Sequence, residues 1–447
     1  MQSIATLSQA RILAEDADAG FAETLRAVLA SGMEGTAGAS LSVGSGKPSK
    51  EILNFTCVLT QPRSRLPHNP ARKLNLPAAI ARFVWMMAGS DRLADIAFYE
   101  PKVSFFSDDG IAVPGSSYGQ RILRSRPGLN QLESAIARLK QDPSSRRAAI
   151  SIYHPEDAVR ESRDIPCAFG LFFHVREGVL IATTLMRSNN AFILMPYNIF
   201  EFSLLAEAVA VEVGVPFGAL CHSAVSMHIY GDNYLAAQSV VSTYDAWSPT
   251  SVKPQLPEIP VGSSPLQSIK KLVILEAALR HGSAGLSGDN IEEWITRGSS
   301  DLDAYWRQQF FLLLLHVAKK NENAAALAAL KTVITDPWRA YVGEDAFVAT
   351  KNLAQSAAQL LELELPAGAY RSAKVIPLHS TRILNSLRKN TESYERSGKG
   401  AVSWQEFVAL EEKFGAQLAA SESDFDLTDQ EFELAIQALR AQANRSA

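Results

Sequence analysis

Apolar positions along the chain follow two periods, and the change between them divides it. Residues 20–31 place Phe21, Leu25, Val28 and Leu29 on one helical face, with Gly32 as the stop. In Leu76–Gly89 the apolar residues wrap almost the whole circumference, which predicts a buried helix. Leu129–Gln141 is amphipathic, with Leu132, Ile136 and Leu139 in one stripe, closed by Asp142-Pro143. The period then shortens. Ala148–Tyr153, Phe169–Val175 and Val179–Met186 read as strands, the last two joined by a tight turn at Glu177-Gly178. Ile199–Val213 predicts a long apolar helix, Ala219–Ile229 a further strand, and Pro254–Pro265 a closing edge segment and linker. Every periodic segment beyond is helical: 266–280, 302–320, 324–333, 346–363, 404–418 and 429–441, the last opened by a capping box from Thr428 to Glu431. No fixed-period repeat is visible, which argues against a solenoid. The expectation is an α+β domain, a mixed sheet with packed helices, over residues 1–262, and an all-α extension over 263–447.

Composition narrows the function classes. The chain has 447 residues, 47% hydrophobic and 20% charged, with a net charge of -4. That balance predicts a globular protein with no attraction for a nucleic-acid backbone, so any anionic ligand must meet locally clustered Arg or Lys. The first twenty residues lack a charged segment followed by an apolar one, and the apolar run Phe310–Leu315 is too short to span a bilayer. The expectation is a cytoplasmic protein without a membrane partner. Three cysteines, Cys57, Cys167 and Cys221, at irregular spacing predict neither a disulfide framework nor a zinc site, and His154 and His174 lack partners at ligand spacing, so no metal is expected. The Gly- and Ser-rich loop 35–49 contains GSGKPS, but Leu41 stands where a P-loop needs its first glycine and Pro48 where it needs Ser or Thr. Met186, Met195 and Met227 read as core filling, and Glu411, Glu412 and Lys413 as a solvated face.

Candidate chemistry centres on Cys167, which follows Arg163, Asp164, Ile165 and Pro166 at the mouth of a strand. Arg187-Ser188 ends the second strand of the hairpin, and Arg146-Arg147 precedes the first strand. Three arginine sites at strand ends beside one thiol can hold a phosphate and favour the thiolate. The alternative is that these arginines only line the surface.

The segments SRRAAISIYHP, IPCAF, LMRSNNAFILMPYNIFEFSLL and MHIYGDN, with YGQRIL and RFVWMMAG upstream, resemble in order and spacing the signatures of the thymidylate synthase and pyrimidine nucleotide hydroxymethylase superfamily. The resemblance covers roughly residues 20–260 and implies that family's mixed sheet with packed helices. It implies that Cys167 attacks C6 of a pyrimidine nucleotide, so that C5 captures a one-carbon unit from 5,10-methylenetetrahydrofolate. By the same resemblance Arg187 and Ser188 bind the 5′-phosphate from one subunit, and Arg146 and Arg147 reach it from the other subunit of a homodimer. Asn198 would meet the base edge, His228 and Tyr230 the sugar hydroxyl, Tyr118 the wall beside the base, and Asn190 the cofactor. An amide at Asn198 both donates and accepts, which suits the O4 and N3–H of uracil.

Several positions depart from the family pattern. Arg82 stands where the family has a catalytic glutamate, three residues before Trp85, and an arginine cannot take over a proton-transfer role. Glu100, Asp108 and Asp109 are the candidate replacements. Met186 replaces a glutamine, Ala168 a histidine, Asn190 an aspartate and Leu194 a glycine. Phe105 and Phe106 stand in the stretch where relatives carry tryptophans, and Lys47 or Lys50 are the candidates to replace an arginine-bearing loop. The phosphate and sugar contacts are thus better kept than the cofactor contacts. The expectation is one-carbon transfer giving a hydroxymethyl or a methyl product. The alternative, motivated by Arg82, is a catalytically impaired pyrimidine-nucleotide-binding protein with a regulatory role.

Overall fold

The computed structural model describes residues 11–36, 46–247 and 256–349. In chain order these form β1 (Arg11–Ala14), α1 (Ala17–Ser31), β2 (Met33–Thr36), β3 (Pro48–Leu59), α2 (Leu76–Ala88), α3 (Leu93–Ala97), α4 (Gly119–Leu123), α5 (Gln131–Gln141) and β4 (Ala149–Ser151). There follow β5 (Ala168–Arg176), β6 (Val179–Met186), β7 (Asn189–Asn190), α6 (Met195–Val213), β8 (Phe217–Tyr230) and α7 (Tyr234–Trp247). Last come α8 (Pro265–Gly282), α9 (Ile291–Asp301), α10 (Ala304–Lys320), α11 (Ala324–Val333) and α12 (Trp338–Val342).

The strands make one mixed sheet in the order β1-β3-β8-β6-β5-β4, with β2 on β3 and β7 on β8. β5 and β6 form the expected hairpin, and Glu177 and Gly178 both take positive φ, 52° and 78°, the geometry a two-residue turn needs to match strand twist. β6 and β8 are parallel, so a crossover must join them, and α6 supplies it. Its buried positions run almost all round the helix, as expected for a helix pressed between a sheet and other helices. Met186, Met195 and Met227 are fully buried, as their apolar surroundings in the sequence suggest.

The strict alternation of strand side chains is broken once, along a line across the sheet. In β8 the buried positions are Leu220, His222 and Ala224, then Met227 and Ile229, a change of phase between residues 224 and 227. β3 changes phase at the same level, at Asn54, whose φ is 54°. Between β6 and β7, Arg187 and Ser188 interrupt the pairing with β8. On β5 the register slips between Ala168 and Gly170. Bulges of this kind re-aim side chains. Here the phase change turns Met227 and Ile229 into the core and turns His228 and Tyr230 out of it.

The opposite face of the sheet carries exposed apolar side chains, with Leu13, Val225 and Phe169 at 72%, 48% and 44% exposure. The helices beyond residue 262 share the core of the sheet domain: α8 and α10 pack on α2. Buried polar contacts fix this docking. Arg65, 1% exposed, pairs with Glu207 of α6 and donates to the Tyr305 hydroxyl of α10 at 3.0 Å. Tyr341 donates to the Pro67 carbonyl at 2.9 Å and accepts from the Leu74 N–H at 3.0 Å. No helix among the described residues is long and apolar enough to cross a membrane.

β1, β2, β3, β7, α3, α4, α7, α9 and α12 are additions to the elements expected from the sequence. β3 reads poorly because its exposed half, PSKE, is polar and its middle carries the Asn54 bulge. The described part of the 254–265 segment forms no strand, and of the helix expected at 346–363 only residues 346–349 are described, the first two of them in the short turn Glu344–Phe347. The helices expected at 404–418 and 429–441 lie outside the described residues.

Gly119 is where α4 meets α2: a Cβ there would lie 1.9 Å from the Met86 carbonyl oxygen. Gly119→Ala must therefore separate the two helices, and we expect it to lower unfolding free energy by roughly 2–4 kcal/mol. Urea denaturation would show a lower midpoint with unchanged slope; an unmoved midpoint would mean that the helices do not meet at this glycine.

Candidate active site

The loop ahead of Cys167 is held from two sides. Asp164, 3% exposed, accepts from the Gly115 N–H at 2.6 Å and the Ser116 hydroxyl at 2.5 Å. Gly115 must be glycine for this approach, since a Cβ would sit 2.1 Å from the Asp164 carbonyl oxygen. From the other side Arg187 donates through Nε to the Pro166 carbonyl at 2.7 Å and through Nη2 to the Ile165 carbonyl at 3.0 Å. Its backbone N–H donates to the Cys167 carbonyl at 2.8 Å. The bulge that interrupts the strand at Arg187 is what lets its guanidinium fold back over the cysteine loop.

Cys167 is half-buried. Burial pushes its thiol above the ordinary range; Arg187 and then Arg82 pull it down, and Asp164 pushes it up. The arginine effect anticipated from the sequence is present, but desolvation outweighs it. The Tyr118 phenol is held neutral, first by burial and then by the neighbouring Cys167 and Glu201, and its ring stacks on Phe202 at 5.9 Å. Ser188 Oγ lies 3.4 Å from His228 Nδ1, and the His228 and Tyr230 rings are 4.9 Å apart. Burial, then Cys167, raises the Tyr230 phenol. Burial lowers the His228 imidazole, keeping it neutral near neutral pH.

Arg82 points from α2 into this cluster and is held between two carboxylates. Its Nε donates to Glu201 Oε1 and its Nη1 to Glu100 Oε2, each at 2.7 Å, and its guanidinium lies 5.7 Å from the Tyr197 ring. Burial opposes its charge, yet Glu100 and Glu201 more than restore it. Glu201 is 3% exposed, and burial raises its proton affinity against the pull of Arg82. Of the three carboxylates expected to replace the missing glutamate, Glu100 reaches Arg82. Asp108 instead binds Ser162 and Arg163, and Asp109 closes its own turn by accepting from Ile111 and Ala112. Glu201 was not foreseen. Its signal was available: a charged residue one turn beyond Asn198 on a mostly apolar, buried helix must find a partner or pay heavily in solvation.

Asn198 is buried and accepts at Oδ1 from Asn189 Nδ2 at 2.9 Å. Asn190 accepts at Oδ1 from the Phe192 and Ile193 N–H groups at 3.1 and 2.8 Å, while its buried Nδ2 has no hydrogen-bond partner. Lys47 pairs with Asp232, and Lys50 donates to the Leu29 carbonyl at 2.9 Å; residues 37–45 between them and β2 lie outside the described residues. Arg146 and Arg147 are exposed and share a groove with Arg138 and Arg176 at the far end of β5. Eight residues of strand, roughly 25 Å at 3.3 Å per residue, separate that groove from Cys167 of the same chain.

Residues 20–256 match the sequence model of the family described as thymidylate synthase. The chain belongs to the thymidylate synthase family. Over 201 residues it is 30% identical to the deoxyuridylate hydroxymethyltransferase of Bacillus phage SP01, a match covering 42% of this chain and 52% of the phage protein. Over 201 residues it is 32% identical to a Methanothermobacter marburgensis protein named "Putative thymidylate synthase", covering 44% of this chain and 84% of that one. A protein of the same name from Methanothermobacter thermautotrophicus is 37% identical over 125 residues, 28% of this chain and 55% of its own length. The chain thus spans about half the length of the phage relative. Helices α8–α12 lie beyond the family match.

The balance at Cys167 is measurable. Alkylation by iodoacetamide, followed residue by residue by mass spectrometry, should give Cys167 a midpoint above that of a free thiol, because burial disfavours the thiolate. Arg187→Gln should move it higher still, since the first opposing charge is lost. A wild-type midpoint below that of free cysteine would mean that the arginines win.

Proposed function

We propose that this chain is a homodimeric transferase that adds a one-carbon unit to C5 of a pyrimidine nucleoside monophosphate of uracil type, through a covalent bond between Cys167 Sγ and C6. The observation that carries this reading is the convergence of Cys167, Arg187, Tyr118, Tyr230 and the Arg82–Glu201 pair at one line of bulges. The phage relative carries the corresponding hydroxymethyl transfer to deoxyuridylate in its name.

Addition of the thiolate to C6 opens the C5–C6 double bond and sends its electron pair to the C4 oxygen, so that C5 becomes nucleophilic. Arg187 and Arg82 favour the thiolate at that moment. Asn198 faces the base and donates to the oxygen that gains charge. When C5 has formed its new carbon bond, the C5 proton leaves to a base. The bond between that carbon and its carrier must then break, with water completing a hydroxymethyl product or a hydride, which the folate would give up with its own oxidation, completing a methyl product. The C5–C6 double bond re-forms as Cys167 departs. Glu201, a carboxylate of raised proton affinity beside Tyr118, takes the proton-transfer part that Arg82 cannot, and Arg82 orients it. Ser188, His228 and Tyr230 hold the phosphate and sugar end. Methylenetetrahydrofolate would supply the one-carbon unit, and the unpartnered donor of Asn190 fits a carbonyl acceptor on a pterin ring. Both hydroxymethyl and methyl products satisfy this arrangement.

Two features support a homodimer. The outer face of the sheet exposes Leu13, Val225 and Phe169, and Arg146 and Arg147 lie too far from Cys167 to serve the same chain's site, so a second copy would bring them. A second reading, binding without turnover, rests on Arg82, whose charge is locked between Glu201 and Glu100.

Tritium release from C5-labelled dUMP, dCMP, UMP and CMP, with and without methylenetetrahydrofolate, separates the readings. Release from a uracil nucleotide that vanishes in Cys167→Ala, and falls at least tenfold in Glu201→Gln, is the expected outcome, and product mass then distinguishes hydroxymethyl from methyl. Binding without any release would establish the second reading. The dimer has its own test: mixing Cys167→Ala chains with Arg146→Ala/Arg147→Ala chains should restore up to about a quarter of wild-type activity, since half of the dimers would carry one complete site. No recovery would place the arginines outside the site.

A further inference from the structure

Asn198 does not stand alone behind the base. Its Oδ1 accepts from Asn189 Nδ2 at 2.9 Å, Asn189 Oδ1 lies 2.8 Å from His222 Nε2, and His222 Nδ1 lies 2.7 Å from Thr184 Oγ1. All four side chains are within 2% of full burial. They come from four elements: Thr184 from β6, Asn189 from β7, Asn198 from α6 and His222 from β8. The three residues behind Asn198 are closed off from solvent. Fully buried polar groups at this spacing are an expense unless every donor meets an acceptor, and this row meets that condition along its length.

The row has a polarity. An amide oxygen only accepts, so His222 Nε2 must carry the ring proton to reach Asn189 Oδ1. A neutral ring then has Nδ1 free to accept from the Thr184 hydroxyl. Burial drives the His222 imidazole down to about 4, so the ring holds a single proton at neutral pH. Thr184 therefore donates to His222, His222 to Asn189 and Asn189 to Asn198. Asn198 is left with its Nδ2 hydrogens unspent. Turning any one amide over would set two donors or two acceptors face to face, at a cost of the order of 1–3 kcal/mol, which is roughly ten- to hundredfold.

We propose that Thr184, His222 and Asn189 form a buried positioning relay that fixes the orientation of the Asn198 amide, so that it presents a donor to the base and selects a carbonyl at C4, as in uracil, over an amino group, as in cytosine. This rests on the reading of the site as one for pyrimidine nucleotides and adds residues that set its base preference without touching the substrate.

Asn189→Asp tests it. A carboxylate only accepts, so it still receives the His222 proton but obliges Asn198 to turn its Nδ2 inward and offer Oδ1 to the base. Calorimetric binding of dUMP and dCMP to the wild-type protein and to Asn189→Asp, each with its thermal unfolding recorded, gives a ratio that does not require turnover. The wild type should favour dUMP, and Asn189→Asp should shift the ratio roughly ten- to hundredfold towards dCMP. Thr184→Val, at the far end of the relay, should shift it less but in the same sense. A variant that is folded, binds nucleotide and keeps the wild-type ratio at both positions would overturn the relay and leave the site reading standing. Failure of the wild type to bind either nucleotide would overturn the site reading and the relay with it.

Discussion

A β-sheet with strictly alternating side chains cannot both bury a row of residues and send the next row to a ligand on the same strands unless its phase changes somewhere. Here it changes along one line, at Asn54 in β3, beyond Ala224 in β8, at Arg187-Ser188 between β6 and β7 and beside Phe169 in β5. Everything proposed for the site hangs on that line. It turns His228 and Tyr230 out of the core, frees Arg187 from strand pairing so that it can hold the carbonyls of Ile165 and Pro166, and places Cys167 at the mouth of the hairpin. A single bulge would leave neighbouring strands out of phase; four at one level keep the sheet paired on both sides of the break.

Charge in the centre of the site is balanced among three side chains. Arg82 on α2 stands where the resemblance implies a carboxylate, and Glu201 on α6 supplies a carboxylate against it, with Glu100 on the other side. A buried arginine without partners would be far too costly in this environment, so its presence required at least one such carboxylate. The same reasoning accounts for Arg65 with Glu207, which ties α6 to α10. Buried ion pairs of this kind add little net stability but tolerate few alternative packings. The second of them fixes α10, which lies beyond the family match, on α6.

Much of the fold was legible one segment at a time. The apolar circumference of Leu76–Gly89, the stripe of Leu132, Ile136 and Leu139 and the hairpin turn at Glu177-Gly178 lie where the periodicity placed them, because each is decided by residues close in sequence. β3 was not legible: its polar first half pairs with β2 and β8, and its alternation is broken at Asn54, so neither period shows. Cys167, Arg187, Ser188, His228 and Tyr230 stand out as candidates through motifs. Glu201 is one of three glutamates in a mostly apolar helix, and Asn189, His222 and Thr184 are polar residues of the strands, so nothing local in the sequence sets these four apart.

The chain by itself determined its family, most of its long helices and its hairpin, and it singled out Cys167 and Arg82 as candidates, since all of these are properties of short segments and their order. Only the tertiary structure decided what stands opposite what. It set Glu201 against Arg82 across 119 residues of sequence, put Asn189 and His222 behind Asn198, and carried Arg146 and Arg147 to the far end of β5. Hydrogen bonds and desolvation act over a few ångströms of space, and sequence separation does not encode that distance until the strands have paired and the sheet has been bent.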